Sequence, residues 1–357
     1  MKNGLLINAG EAQEKNIGDY IQSVAQEQFF DHIDQYVERE ELHALKSDEK
    51  VNVIMNGWFM RHPDHFPPSE DINPLFVSFH IAPKIAKSML TPTTVSYLKR
   101  YEPIGCRDTG TQELLEKKGI KTYFSGCLTL TLGQKYLSSD KDGSIYFVDP
   151  YYEIGGGAGG ATVRSLFWLV KNFGKVCKLM PRFKPEFYCT LYKVSPLLNK
   201  AVMCASFYET YKKAFSDDIL LNAKFILHKV RQSDFNGEDA KMEYARNLVK
   251  LYAKASLVVT SRIHCALPCL GVETPVVFIS SEILQGGDML RSSGRFGGII
   301  DLFHVLQWTS NGVVGVSSGI SKVLEKGKIS LHNILPNSNK YVILRDALIK
   351  NVTNWLK

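Results

Sequence analysis

One stretch of this 357-residue chain constrains its fold more than any other: Leu257–Ile279, LVVTSRIHCALPCLGVETPVVFI. Leu257, Val258 and Val259 make a short apolar run suited to a strand buried on both faces. Thr260 and Ser261 follow, and Arg262, Ile263 and His264 stand where a helix begins. Ala266–Gly271 fits a short helix stopped by Gly271, and Pro275–Ile279 reads as a second buried strand. This is one strand–turn–helix–strand unit of an α/β sheet, with an arginine and a histidine at the carboxyl end of its first strand. Open parallel sheets bind ligands there. Helix N–H groups, the hydroxyls of Thr260 and Ser261 and the Arg262 guanidinium would form an anion site, with His264 within reach. The plainer alternative stays open, in which the hydroxyls cap the helix and Arg262 and His264 make a surface link.

The same pattern runs along the chain. Leu5–Ile7 reads as a strand, and Asn8–Asp19 leads into a helix at Tyr20–Phe30, where Asp19 is either its cap or a ligand contact. Strands follow at Val51–Met55, ending in Asn56, at Phe76–Phe79, running into His80, at Ile104–Arg107 and at Lys121–Phe124. Helices are predicted at Pro92–Arg100 and Thr111–Lys118. Gly133–Gly143 is polar and closes a first half, residues 1–143; residues 144–357 form a second. Ser144–Val148 and Ala223–Leu227 are its strands, the latter ending in His228, with a periodic helix at Glu238–Ala255. Asn339–Leu356 reads as an amphipathic closing helix that packs back on the first half. The alternation predicts an α/β protein with doubly wound parallel sheets. The glycine-rich Glu153–Gly160 lacks G-x-G-x-x-G with an acid beyond it, so a dinucleotide loop and a plain linker stand equal.

Seven cysteines, odd in number and without zinc-like spacing, point to reduced cytoplasmic thiols and to no required metal. The N-terminal residues do not read as a signal peptide, and no apolar run reaches the ~20 residues of a membrane span. The net charge of +7 is concentrated: residues 163–216 hold ten basic residues against Glu186 and Glu209, and many aromatics. That block is either a solvated face or a peripheral contact with an anionic membrane. No nucleic-acid-binding module is evident.

Several strand ends carry similar chemistry. The ordered set comprises Asn16, Gly18 and Asp19; then Gly105, Arg107, Asp108 and Thr111; Gly126–Leu132; and Ser261, Arg262 and His264 followed by Gly271 and Pro275. With this set, over roughly residues 4–300, the chain resembles the polysaccharide pyruvyl transferase family. Leu128 stands where that family often has proline. The resemblance implies two Rossmann-like domains facing across a cleft, as in GT-B glycosyltransferases. It also implies transfer of a pyruvyl group from phosphoenolpyruvate to two sugar hydroxyls, giving a cyclic ketal. The acceptor would be a galactose-type or lipid-linked saccharide of capsular or exopolysaccharide biosynthesis.

Such a donor carries phosphate and carboxylate and so needs at least two cationic groups. We assign Arg262 to one anion, with Thr260 and Ser261 beside it, and Arg107 or Arg295 to the other. His264 is the expected proton donor or phosphate ligand. Asp19 or Asp108 would deprotonate the acceptor, although Asp108 equally suits a structural link to Arg107. Asn16, Gly18, Asn56, His80 and His228 are placed on the acceptor side; either histidine also suits a buried core position. Two competing functions are a sugar-nucleotide glycosyltransferase, using Glu273 or Glu282 on the ribose, and a non-catalytic sugar-binding protein.

Overall fold

The computed structural model describes residues 1–10, 12–59, 61–152, 163–184, 195–281 and 296–357. The strands of the first half are β1 (Lys2–Ile7), β2 (Glu14–Asn16), β3 (Gln35–Glu38), β4 (Val51–Ile54), β5 (Trp58–Phe59), β6 (Ile72–Leu75), β7 (His80–Ile81), β8 (Ile104–Cys106) and β9 (Thr122–Phe124). In the order β3-β1-β4-β6 they form a four-stranded sheet, parallel throughout. β5 pairs with β7 and β8 with β9, again in parallel.

The second half contributes β10 (Ile145–Val148), β11 (Lys224–Ile226), β12 (Lys229–Arg231), β13 (Leu257–Thr260), β14 (Val276–Ser280), β15 (His304–Thr309) and β16 (Gly312–Gly315). Its six-stranded sheet runs β11-β10-β13-β14-β15-β16, and only the β15–β16 pair is antiparallel. The helices of about two turns or more are α1 (Ile17–Glu27), α2 (Pro92–Lys99), α3 (Thr109–Glu116), α4 (Val163–Lys171), α5 (Phe173–Leu179), α6 (Pro196–Tyr211), α7 (Gly237–Lys254), α8 (Ile263–Gly271), α9 (Ser318–Lys326) and α10 (Lys340–Trp355).

β13 shows why its sequence is apolar throughout: every residue is buried, and alternate side chains enter different cores. Leu257 and Val259 join Ile145, Phe147 and Phe207 on one side. Val258 joins Val148, Phe278 and residues of α1, α7, α8 and α10 on the other. That second core also takes Leu5 and Ile54 from the first sheet, so it is continuous between the two halves. The remaining core, around Leu6, Val53 and Phe79, covers the far side of the first sheet.

Backbone contact between the halves is closest at α8. A Cβ built on Gly271 would stand 2.4 Å from the Thr129 carbonyl oxygen, and one on Gly133 would stand 2.4 Å from that of Gly271. Only glycine permits this approach. α10 lies against the first half, where the Asn351 side chain donates to the Tyr123 hydroxyl at 3.0 Å.

The expected strand at Phe76–Phe79 is displaced to Ile72–Leu75, which includes Pro74. β6 is an edge strand, where proline is tolerated, and Ser78 at φ 56° turns the chain instead of extending it. Glu153–Gly160 lies outside the described residues.

Candidate active site

β2 and β12 are short and polar, yet they determine where the site forms. They pair antiparallel across the halves, with Asn16 opposite Lys229, and the Ile17 amide donates to the His228 carbonyl at 2.8 Å. This seats the N-terminus of α1 against that of α8. Asn16, not Asp19, caps α1: its side chain accepts from the Gly18 amide at 3.1 Å. Asp19 is thereby released to face inward.

A cavity of about 260 Å³ opens at this junction, lined by Asn8, Glu14, Lys15, Asn16, Asp19, Trp58, Arg61, Lys229 and Arg262. Four cationic side chains and two carboxylates line it, Lys229 pairing with Glu14 at 2.9 Å, and the remaining excess of positive charge suits a small anion. Lys15 is buried and donates to the carbonyls of Ala9 and Gly10. Burial, together with the charges of Lys241 and Arg61, lowers its pKa below that of an ordinary lysine.

Arg262 is aimed by Asp149, a residue at the end of β10 in the left-handed region (φ 43°). The Arg262 Nε donates to Asp149 Oδ2 at 2.5 Å, and the same oxygen accepts from the His228 amide at 3.2 Å. The Ser261 hydroxyl donates to the Asp149 carbonyl at 2.5 Å. The Thr260 hydroxyl donates to the Val148 carbonyl at 3.0 Å and accepts from the Arg262 amide at 2.9 Å. Both hydroxyls thus shape the strand end that presents Arg262.

Asp19 Oδ2 accepts from Asn8 at 2.7 Å, and its Oδ1 accepts from Gln22 at 3.3 Å. His264 Nδ1 lies 3.7 Å from Asp19 Oδ1 and 3.3 Å from Gln22 Nε2. Arg39 approaches the same carboxylate at 3.9 Å. Asp19 lines the cationic cavity and His264 lies buried behind it, a carboxylate and an imidazole between which a proton can be held and passed. Gly18 permits this arrangement, since a Cβ there would lie 2.7 Å from His264 Cβ and 3.3 Å from His228 Nδ1. Close approach at this junction therefore requires glycine at position 18.

The other expected residues form a second layer. His228 is buried, with Nε2 2.7 Å from the Tyr252 hydroxyl. Burial raises the Cys265 thiol, but hydrogen bonds with Cys269 and His228 outweigh it and leave the thiol below its ordinary pKa. Asn56 is buried and pins α1 by donating to the Gln22 carbonyl at 3.3 Å. His80, Arg107 and Asp108 form a buried cluster behind Trp58, whose ring centroid is 5.6 Å from that of His80. Asp108 caps α3 by accepting from the Thr111 amide at 2.9 Å, and its other oxygen meets His80 Nδ1 at 2.5 Å and Arg107 Nε at 3.4 Å. Burial raises the Asp108 pKa, yet the His80 hydrogen bond and the Arg107 charge bring it below the usual carboxylate range. Asn56 and this cluster, with Asn56, His80, Arg107 and Asp108 all buried, are not among the residues lining the cavity. Arg295 and Glu282 lie outside the described residues.

The residues that sequence reading missed are Asn8, Lys15, Arg61, Lys229, Asp149 and Gln22. Asp149 was visible as a strand-end carboxylate; Asn8 and Gln22 meet Asp19 within the first half, and Lys229 is brought in by the β2–β12 pairing. The structure also gathers Glu41, His43, His62, Asp64 and His65 into two partly exposed groups with ligand atoms within 4.8 Å of one another. Sequence spacing predicted no such cluster. Glu273, the ribose candidate of the glycosyltransferase alternative, sits just past the far end of α8 and pairs with Arg345 at 3.3 Å.

A family model described as polysaccharide pyruvyl transferase matches residues 16–283. The match begins at the α1 cap and includes Asp19, Lys229, Arg262 and His264. The chain belongs to the polysaccharide pyruvyl transferase family. As a member of that family it is a transferase, and the cavity at the α1–α8 junction is its candidate active site. No curated protein matches the chain.

Proposed function

We propose that this pyruvyl transferase moves the pyruvyl group of phosphoenolpyruvate onto two hydroxyls of a saccharide, with the junction cavity as donor site. The observation that carries the reading is the convergence of Lys15, Arg61, Lys229 and Arg262 above the Asp19–His264 pair. A donor bearing phosphate and carboxylate suits that charge. The two sheets then act as two Rossmann-like units of GT-B type, residues 1–143 presenting the acceptor and residues 144–357 holding the donor.

In this scheme His264 supplies a proton to C3 of the enol as a first sugar hydroxyl adds to C2. Asp19 offsets the positive charge developing at C2 and takes the hydroxyl proton. A second hydroxyl then displaces phosphate from C2, its proton passing to the His264 imidazole, and the ketal closes. Phosphate leaves toward Arg262 and Lys229, and one phosphate is released for each ketal formed. The scheme uses no metal or organic cofactor. The acceptor is a galactose-type, lipid-linked saccharide of capsule or exopolysaccharide assembly, modified at the cytoplasmic side.

Thermal shift tests the donor directly. Phosphoenolpyruvate is expected to raise the Tm of the wild-type protein and to leave that of Arg262→Ala unmoved. Stabilisation by UDP-sugars, with none by phosphoenolpyruvate, would overturn the reading in favour of glycosyl transfer.

A further inference from the structure

α4, α5 and the first turn of α6 turn an apolar face outward. On α4, Val163, Leu166, Phe167 and Val170 recur at i, i+3, i+4 and i+7, which is one stripe of a helix. Val163, Phe167 and Val170 are 86%, 61% and 78% exposed. Ser165, on the other side of α4, is buried, and Trp168 and Leu169 pack on the second-half core. Phe173 on α5 and Leu197 and Leu198 on α6 are also exposed, and both α4 and α5 pack on α6. Exposed apolar patches of this kind mark an interaction site or a membrane contact.

The surroundings are basic. Among the described residues of 163–216 the one carboxylate is Glu209, held by Lys212 at 2.6 Å and Asn172 at 2.7 Å; just beyond, Asp217 pairs with Lys175, and the lysines and arginines of the face still outnumber these acids. Arg164 stacks over the Trp168 ring at 4.6 Å. With Trp308 and Lys213, this pair lines a cavity of about 300 Å³, a Trp-and-cation setting suited to headgroup depth.

We propose that this face docks the protein on an anionic lipid bilayer, the α4 stripe entering the acyl boundary and the lysines meeting the headgroups. Charge argues against a second copy of the chain, which would set like charges against like. The stripe argues against nucleic acid, which offers Val163 and Val170 no apolar medium. The inference rests on this surface alone and holds whichever donor the cavity takes.

Vesicle flotation of the full chain tests it. The wild-type protein is expected to float with phosphatidylglycerol-containing vesicles at least about 10-fold better than with pure phosphatidylcholine. The double variant Phe167→Asp/Val170→Asp, altered at exposed positions, should bind at least about 10-fold more weakly with an unchanged Tm. Lys178→Glu/Lys184→Glu should bind more weakly at low salt. No flotation of the wild-type protein would overturn the proposal. So would equal flotation of Phe167→Asp/Val170→Asp, which would indicate charge adsorption alone. Self-association abolished by that same variant, without flotation, would assign the face to a second copy and overturn the proposal too.

Discussion

Gly18 sits where two histidines meet the first turn of α1, and the space it leaves is small. An alanine there would place a methyl group 2.7 Å from His264 Cβ, so α1 and α8 would have to separate. Overpacking of this kind costs about 1–3 kcal/mol. Gly18→Ala is therefore expected to lower both the Tm and the rate of phosphate release; a KM change alone, with the Tm intact, would return Gly18 to a substrate-contact role. His264→Ala removes the proposed proton donor without a steric clash. Its kcat should fall about 10²–10⁴-fold while the circular dichroism spectrum is retained. Asp108 makes a different prediction. Its native pKa lies below its unfolded value near ~3.9, so its stabilisation is present above about pH 4 and is lost as pH falls through the native pKa. Asp108→Asn should cost about 3 kcal/mol at pH 7 and flatten the acid limb of the stability curve, measured by urea unfolding.

Among the elements, α8 stands behind the cavity and ties the halves together. Gly271 ends it against the Thr129 carbonyl, and a Cβ at that point would stand 2.4 Å from backbone oxygen that no rotamer change can move. Gly271→Ala should lower stability by about 1–3 kcal/mol, read as a shift in the urea midpoint at constant slope. Much of this element was legible beforehand, because β13, α8 and β14 announce themselves by buried apolar runs and a terminal glycine. β2 and β12 were not. EKN and KVR are three-residue, mostly polar strands with no period to read, and each pairs with the other. The residues they bring to the cavity, Lys15 and Lys229, were hidden for the same reason. Asp19 and Arg262 were legible because each stands at the mouth of a strand–helix turn. The hydroxyls of Thr260 and Ser261 stand at that same mouth, but their hydrogen bonds to the carbonyls of Val148 and Asp149 could not be read from sequence, because those partners lie on β10 and just after it.

Across the whole molecule, the arrangement of cores bears on how the two halves behave. The central core joins Leu5, Tyr20 and Val24 of the first half to Met242, Val258 and Phe278 of the second. A fork of two hydrogen bonds from Arg246 to Glu27, at 2.9 and 2.6 Å, spans α7 and α1 beside it. α10 returns to contribute Tyr341, Leu348 and Val352. Residues 1–143 alone would expose the side of α1 that these groups cover, and the apolar area lost is far larger than a fold of marginal stability can spare. Calorimetry of the full chain should therefore show one cooperative transition, and residues 1–143 expressed alone should lack the sharp unfolding of the intact protein. Two resolved transitions, with the isolated segment melting at one of them, would mean that each half folds on its own and that the cavity between them can open as a hinge. A single transition would instead mean that donor and acceptor enter a gap whose base stays closed.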